Sequence, residues 1–169
     1  MLTASHMGTY NHANVRLTCP RCKKTAETIV DLHFGVTGGM EKIEIGGLYT
    51  FFEKRQSHNG GPPPDGIVEA GGYTECPVCG KDYFCDVMLG PRENGKRDRK
   101  LLLLTMEDIY PSTTFPPYIP DREVNGEASC PECGSKDTRQ QFFDGMKIGR
   151  MICEAEDCYC VEITGLDED

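Results

Sequence analysis

Apolar and polar positions alternate along much of this chain. The stretches ETIVDLHFG (27–35), MEKIEIGGLYTFF (40–52) and IVEAGGYTEC (67–76) alternate apolar with polar residues or are β-branched and aromatic, with glycines at the turns. A period of two belongs to strands, whose successive side chains point to opposite faces. YFCDVMLG (83–90) continues the pattern and sets Tyr83, Cys85, Val87 and Leu89 on one face. It is followed by PRENGKRD and then RKLLLLTM, which predicts a hairpin with Asn94-Gly95 at its tip, a strong type I′ signal. Four successive leucines, 101–104, predict a strand covered on both faces. One segment departs from this period: TMEDIY (105–110) reads as a short helix capped by Thr105, with Glu107 and Asp108 in its first turn.

The breaks in the pattern suggest boundaries. Residues 1–13 are expected to be a disordered start, and Ser-His-Met at 5–7 resembles a vector remnant, which would put the native start at Met7. HNGGPPPDGIV (58–68) reads as a flexible loop, and YPSTTFPPYIP (110–120) as an extended Pro-rich linker. The expected organisation is a β domain over 14–108, a linker over 109–126, a second small domain over 127–165 and an acidic tail at 166–169. Domains this small need a staple.

Ten cysteines in 169 residues, with no tryptophan, supply one. Residues 1–18 hold no apolar run of signal-peptide length, and no window reaches the roughly 18 apolar residues of a membrane span. A cytoplasmic location is therefore expected, where paired thiols bind metal more often than they form disulfides. Three pairs have the spacing Cys-x-x-Cys: Cys19 and Cys22, Cys76 and Cys79, Cys130 and Cys133. A fourth group reads Cys153, Cys158, Cys160. Thiolates at i and i+3 around a tight turn can face one ion. Proline after the first cysteine and glycine after the second, as in CPVCG and CPECG, suit that turn. A redox Cys-x-x-Cys would open a helix in a βαβ unit, which three copies followed by strand-like sequence do not match.

Pairing neighbours gives two quartets: Cys19, Cys22, Cys76 and Cys79, then Cys130, Cys133, Cys153 and Cys158, with Cys160 as a replacement for Cys158. Interleaved pairing would thread loops through one another. Two Zn²⁺ ions are expected, iron being the alternative, and four protein thiolates leave no open coordination position. Cys85 is read as a buried core thiol. The knuckle CPVCGKDYF locally resembles the second knuckle of rubredoxins, although 53 residues separate Cys22 from Cys76. CPECGSKDTRQQFFDGMKIGRMICEAEDC resembles the zinc ribbons that end bacterial type I topoisomerases: Cys-Pro-x-Cys-Gly, a hairpin with glycine and aromatics, then Cys-x4-Cys. The resemblance covers about 30 residues and implies a ribbon fold. The fold class expected is thus all-β, small and metal-stabilised, with two zinc-ribbon-containing domains.

Enzyme signals are weak. His33 and His58 are isolated, His6 and His12 fall in the expected tail, and no phosphate loop or nucleophile elbow occurs, so a metal-dependent nuclease is disfavoured. Formal net charge is −9, and each four-thiolate zinc centre contributes a further −2. Residues 121–169 carry five Lys or Arg against thirteen Asp or Glu. Such a field repels a phosphate backbone and attracts a basic protein surface. The expected function is a non-catalytic protein-interaction module with a basic protein partner, as an adaptor, an inhibitor or immunity-type protein, or an assembly component. The alternative is a nucleic-acid-associated protein, contacting phosphate through Arg92, Lys96, Arg97, Arg99 and Lys100 and stacking bases on Phe142 and Phe143, aided by Lys147 and Arg150.

Overall fold

A computed structural model of the chain describes residues 10–37, 41–51, 68–90 and 103–165. Their regular structure is almost entirely strand, arranged in two sheets. The first sheet contains β1 (Asn11–Thr18), β2 (Thr25–Leu32), β3 (Lys42–Ile43), β4 (Leu48–Thr50), β5 (Val68–Glu75), β6 (Asp82–Gly90) and β7 (Leu103–Pro111), in the order β3-β1-β2-β5-β6-β7-β4. The second contains β8 (Arg122–Asn125), β9 (Thr138–Phe143), β10 (Ile148–Cys153) and β11 (Val161–Gly165), in the order β11-β10-β9-β8. No helix among the described residues is long and apolar enough to cross a membrane.

The period of two is realised in β1, where Asn11, Ala13, Val15 and Leu17 are buried, and in β6, where Tyr83, Cys85, Val87 and Leu89 are. β1 begins at Asn11, inside the segment read as a tail. The stretch 40–52, read as one strand, is broken by a corner: Gly46 adopts φ 81°, and the chain turns between β3 and β4. These two short strands hold opposite edges of the sheet, β3 on β1 and β4 on β7, so the sheet curls back on itself. Val30, Leu32, Tyr49, Leu89 and Met106 fill the interior.

The helix expected over 105–110 is strand instead. β7 pairs with β6 as Met88↔Asp108 and Leu89↔Met106, so Glu107 is an extra residue in a β-bulge. The bulge buries both Met106 and Ile109, three apart, which reproduces a helical spacing inside a strand. The tip of the β6–β7 hairpin, with Asn94-Gly95, and the loop 58–67 lie outside the described residues.

Residues 112–121 run from β7 to β8 across the first sheet. The buried Asp82 carboxylate accepts the backbone N–H groups of Tyr118 (2.7 Å) and Ile119 (3.1 Å), and Pro116 and Pro117 are buried. β8 falls in the stretch read as linker and pairs with β9.

Candidate metal centres

Both ligand pairs of the first centre are hairpin turns. Residues 19–24 join β1 to β2, and residues 76–81 join β5 to β6, which puts four cysteines at one end of the first sheet. Three knuckles share one hydrogen-bond pattern. Cys19 N–H donates to Lys24 O and Lys23 N–H to Cys19 O; Cys76 pairs likewise with Lys81 and Gly80, and Cys130 with Ser135 and Gly134. The residue after the second cysteine has positive φ in each: Gly80 at 67°, Gly134 at 72°, and Lys23 at 61° where the sequence lacks glycine. The fourth knuckle is longer, with Cys153 N–H donating to Cys160 O and Asp157 at φ 62°.

The sulfurs of Cys19, Cys22, Cys76 and Cys79 all lie within 4.8 Å of one another, as do those of Cys130, Cys133, Cys153 and Cys158. Sγ of Cys19 is 3.9 Å from Sγ of Cys79, and Cys22 is 3.8 Å from Cys76. In the second quartet Cys130 is 3.7 Å from Cys158, and Cys133 is 3.6 Å from Cys153. A metal–sulfur bond of about 2.3 Å in a tetrahedron requires sulfurs about 3.8 Å apart. Disulfides need about 2.05 Å. The quartets therefore have the dimensions of tetrahedral four-thiolate sites and are compatible with zinc-ribbon-like centres. Cys158 occupies the fourth position, while Cys160 is buried in the small core beside Cys130, Met151 and Cys153.

The electrostatics of the knuckles suit a cation. Burial opposes ionisation of Cys76, but backbone N–H groups of Cys79 and Val78 bring its thiol down to about 7. The backbone N–H of Cys133 has the largest influence on Cys130 and, with that of Glu132, brings it down to about 6. Burial pushes Cys19 up to about 12. Cys76 and Cys130 thus ionise readily, while Cys19 keeps its proton until a cation neutralises it, so metal uptake at the first quartet releases a proton.

Cys85 is separate from both quartets, 1 % exposed, and pushed up to about 12 by burial, with Asp86 adding to the effect. Its thiolate is unavailable at neutral pH. Cys85→Ala is expected to retain the full metal content and cost about 1–2 kcal/mol, the packing loss of a small buried side chain. Metal analysis beside urea denaturation checks this, and release of metal by the variant would overturn the ligand assignment.

Arg21, the second x-position residue of CPRC, was not singled out by sequence. Its guanidinium is buried and donates through Nη1 to Asp82 O (3.1 Å) and through Nη2 to Ile119 O and Asp121 Oδ1 (both 2.9 Å). It also lies 5.5 Å from the ring centroid of Phe143. Lys23 Nζ donates to Gly145 O (2.6 Å), so the first knuckle grips the turn 144–146 between β9 and β10. Gly145 is required there, because a Cβ would sit 2.3 Å from Arg21 O.

The nucleic-acid candidates are placed differently from expectation. Phe143 is 0 % exposed, packed under Arg21 and Arg150, and has no face for a base. The burial follows from the strand period: β9 turns Phe143 toward the first sheet and Phe142 away. Phe142 is half-buried, with the Arg122 guanidinium 3.7 Å over its ring. Arg150 donates to Gln141 Oε1 (2.8 Å), and Lys147 is exposed. Arg92, Lys96, Arg97, Arg99, Lys100 and His58 lie outside the described residues. His33 is exposed against Tyr10, and His12 pairs with Asp31 at 2.8 Å. Comparison of the chain with protein-family models, curated proteins and solved structures finds no match.

Proposed function

We propose that the chain is a non-catalytic zinc-binding interaction module, which offers an acidic surface to a basic protein partner. The observation that carries this reading is the completeness of both quartets: four sulfurs at tetrahedral spacing leave a bound ion no position for substrate or water. Zinc then acts as a staple for two sheets with small cores. The net charge of −9, made more negative by two thiolate-rich centres, favours a cationic partner. Adaptor, inhibitor or immunity-type protein, and assembly component all use such a surface. The run 92–100 and the topoisomerase-like spacing of 130–158 support the second reading, a ribbon acting beside nucleic acid.

Two measurements test the proposal. Protein made without added metal should contain close to two equivalents of zinc per chain; one equivalent would sink the paired assignment, and two of iron would change the metal. The zinc-loaded full chain should then bind an immobilised basic protein and leave a labelled single-stranded oligonucleotide free at about 150 mM salt, where counterion release no longer rescues weak phosphate contacts. The reverse pattern would establish the second reading.

A further inference from the structure

We infer that the partner's basic segment docks on the outer face of β1, β2 and β5, in an apolar-floored cleft that continues onto an exposed aromatic cluster. This rests on the interaction-module reading and specifies its surface. The cleft has a volume of about 570 Å³ and arises from a local parting of strands. β2 and β5 pair only at Asp31↔Tyr73 and Leu32↔Gly72. Beyond that point side chains bridge them, with the buried Thr28 and Thr74 hydroxyls 2.8 Å apart and Thr74 Oγ1 donating to Ile29 O (2.7 Å). The floor includes Ile29, which is 55 % exposed, together with Tyr73 and Pro77, and the rim carries Glu27, Asp31 and Glu75.

The cleft extends through Tyr73. Its ring is 5.8 Å from those of Phe84 and Tyr118, and Phe84 in turn lies 5.2 Å from Tyr118 and 6.4 Å from Phe115. Phe115 and Tyr118 are 59 % and 60 % exposed, held there because Asp82 fixes the backbone of the segment 112–121. Large aromatics presented on a pinned backbone lose little conformational freedom on binding. An apolar floor with an acidic rim suits a lysine or arginine side chain: the aliphatic stem lies along Ile29 and Tyr73 while the head group meets Glu27 or Glu75. Aromatic or aliphatic neighbours on the same segment would cover Phe115 and Tyr118. His12 and Lys42 also line the cleft, His12 held by Asp31, and they set one cationic boundary to the site.

The test uses the zinc-loaded full chain, with a synthetic peptide of alternating arginine and leucine as probe and a labelled single-stranded oligonucleotide as comparator. Binding is followed by fluorescence anisotropy and by amide shifts. The peptide should perturb Glu27, Ile29, Asp31 and Tyr73. Glu27→Lys should weaken it about tenfold, whereas Glu162→Lys, the same charge change on β11, should alter it less than about twofold. Ile29→Ser should also weaken it several-fold, which attraction by net charge alone would not produce. Equal losses from Glu27→Lys and Glu162→Lys, with Ile29→Ser silent, would overturn the cleft while leaving the basic-partner reading intact. No binding of the peptide by the wild-type chain would overturn both. Oligonucleotide shifts centred on Tyr73, Phe115 and Tyr118 would reassign the surface to nucleic acid.

Discussion

Cys130→Ser is expected to release one metal equivalent and unfold β8–β11, while the seven-stranded sheet stays folded. The core of the four-stranded sheet explains the size of the effect. Its buried cluster is Cys130, Met151, Cys153 and Cys160, with Ala128, Ala155 and Cys158 packed against it, so most of its interior is sulfur. Burying Met151 contributes about 1.5–3 kcal/mol. A structural zinc site in a small domain supplies on the order of 10–16 kcal/mol, and this is folding free energy because the site does not exist in the unfolded chain. Serine offers no thiolate. Zinc content should fall from two equivalents to one, and amide signals from 122–165 should collapse to random-coil positions. A Cys130→Ser protein that keeps two equivalents and a dispersed spectrum would show that the second quartet is not a metal site.

Arg21→Ala is expected to destabilise the protein by about 3–5 kcal/mol, the range for removing one partner of a buried ion pair. The variant leaves Asp82, which is 0 % exposed, without the guanidinium 3.6 Å away, deprives Ile119 O of its side-chain donor and leaves Asp121 with Lys81 alone. It also removes one of the two cations over Phe143, leaving Arg150. Since Arg21 bridges the first sheet, the segment 112–121 and β9, urea denaturation of the zinc-loaded variant should separate into two transitions. Gly145→Val attacks the same junction from the other side, and the two substitutions together should cost less than the sum of their separate effects. A change below about 1 kcal/mol for Arg21→Ala, with one transition retained, would refute this account of the junction.

The quartets were legible in the sequence because a knuckle is a local object. Spacing, the proline after the first cysteine and the glycine after the second are all dictated by one turn, and neighbour pairing needed only the rule against threaded loops. Strands such as β2 and β6 were equally legible where one face is buried and the other wet, whereas β1 begins inside the segment read as a tail. What was hidden depends on two elements at once. The bulge at Glu107 makes Met106 and Ile109 share a side only because β6 shifts register opposite them. Phe143 looked like one of two adjacent aromatics, and its burial becomes visible only when Arg21 is known to lie above it. The segment 110–120 has the composition of a spacer, yet its N–H groups at 118 and 119 are satisfied by Asp82, whose low expected burial as an aspartate gave no hint of that service. Arg21 itself differs from Val78 and Glu132, its counterparts in the other two knuckles, and that difference was a usable signal.

The arrangement of the knuckles has a consequence for the order of assembly. Within the second quartet only 19 residues separate Cys133 from Cys153, and β9 and β10 between them form a simple hairpin. In the first quartet 53 residues intervene between Cys22 and Cys76, and the two knuckles meet only after β2 has found β5. Loop closure itself differs little, since each doubling of length adds about 0.6 kcal/mol. Rates differ more, because pairing across a long separation must be reached before any contact rewards it. The C-terminal centre can therefore form as soon as its hairpin emerges, whereas the N-terminal knuckle must wait, with Cys19 and Cys22 reduced, for the 53 residues before Cys76 to follow it.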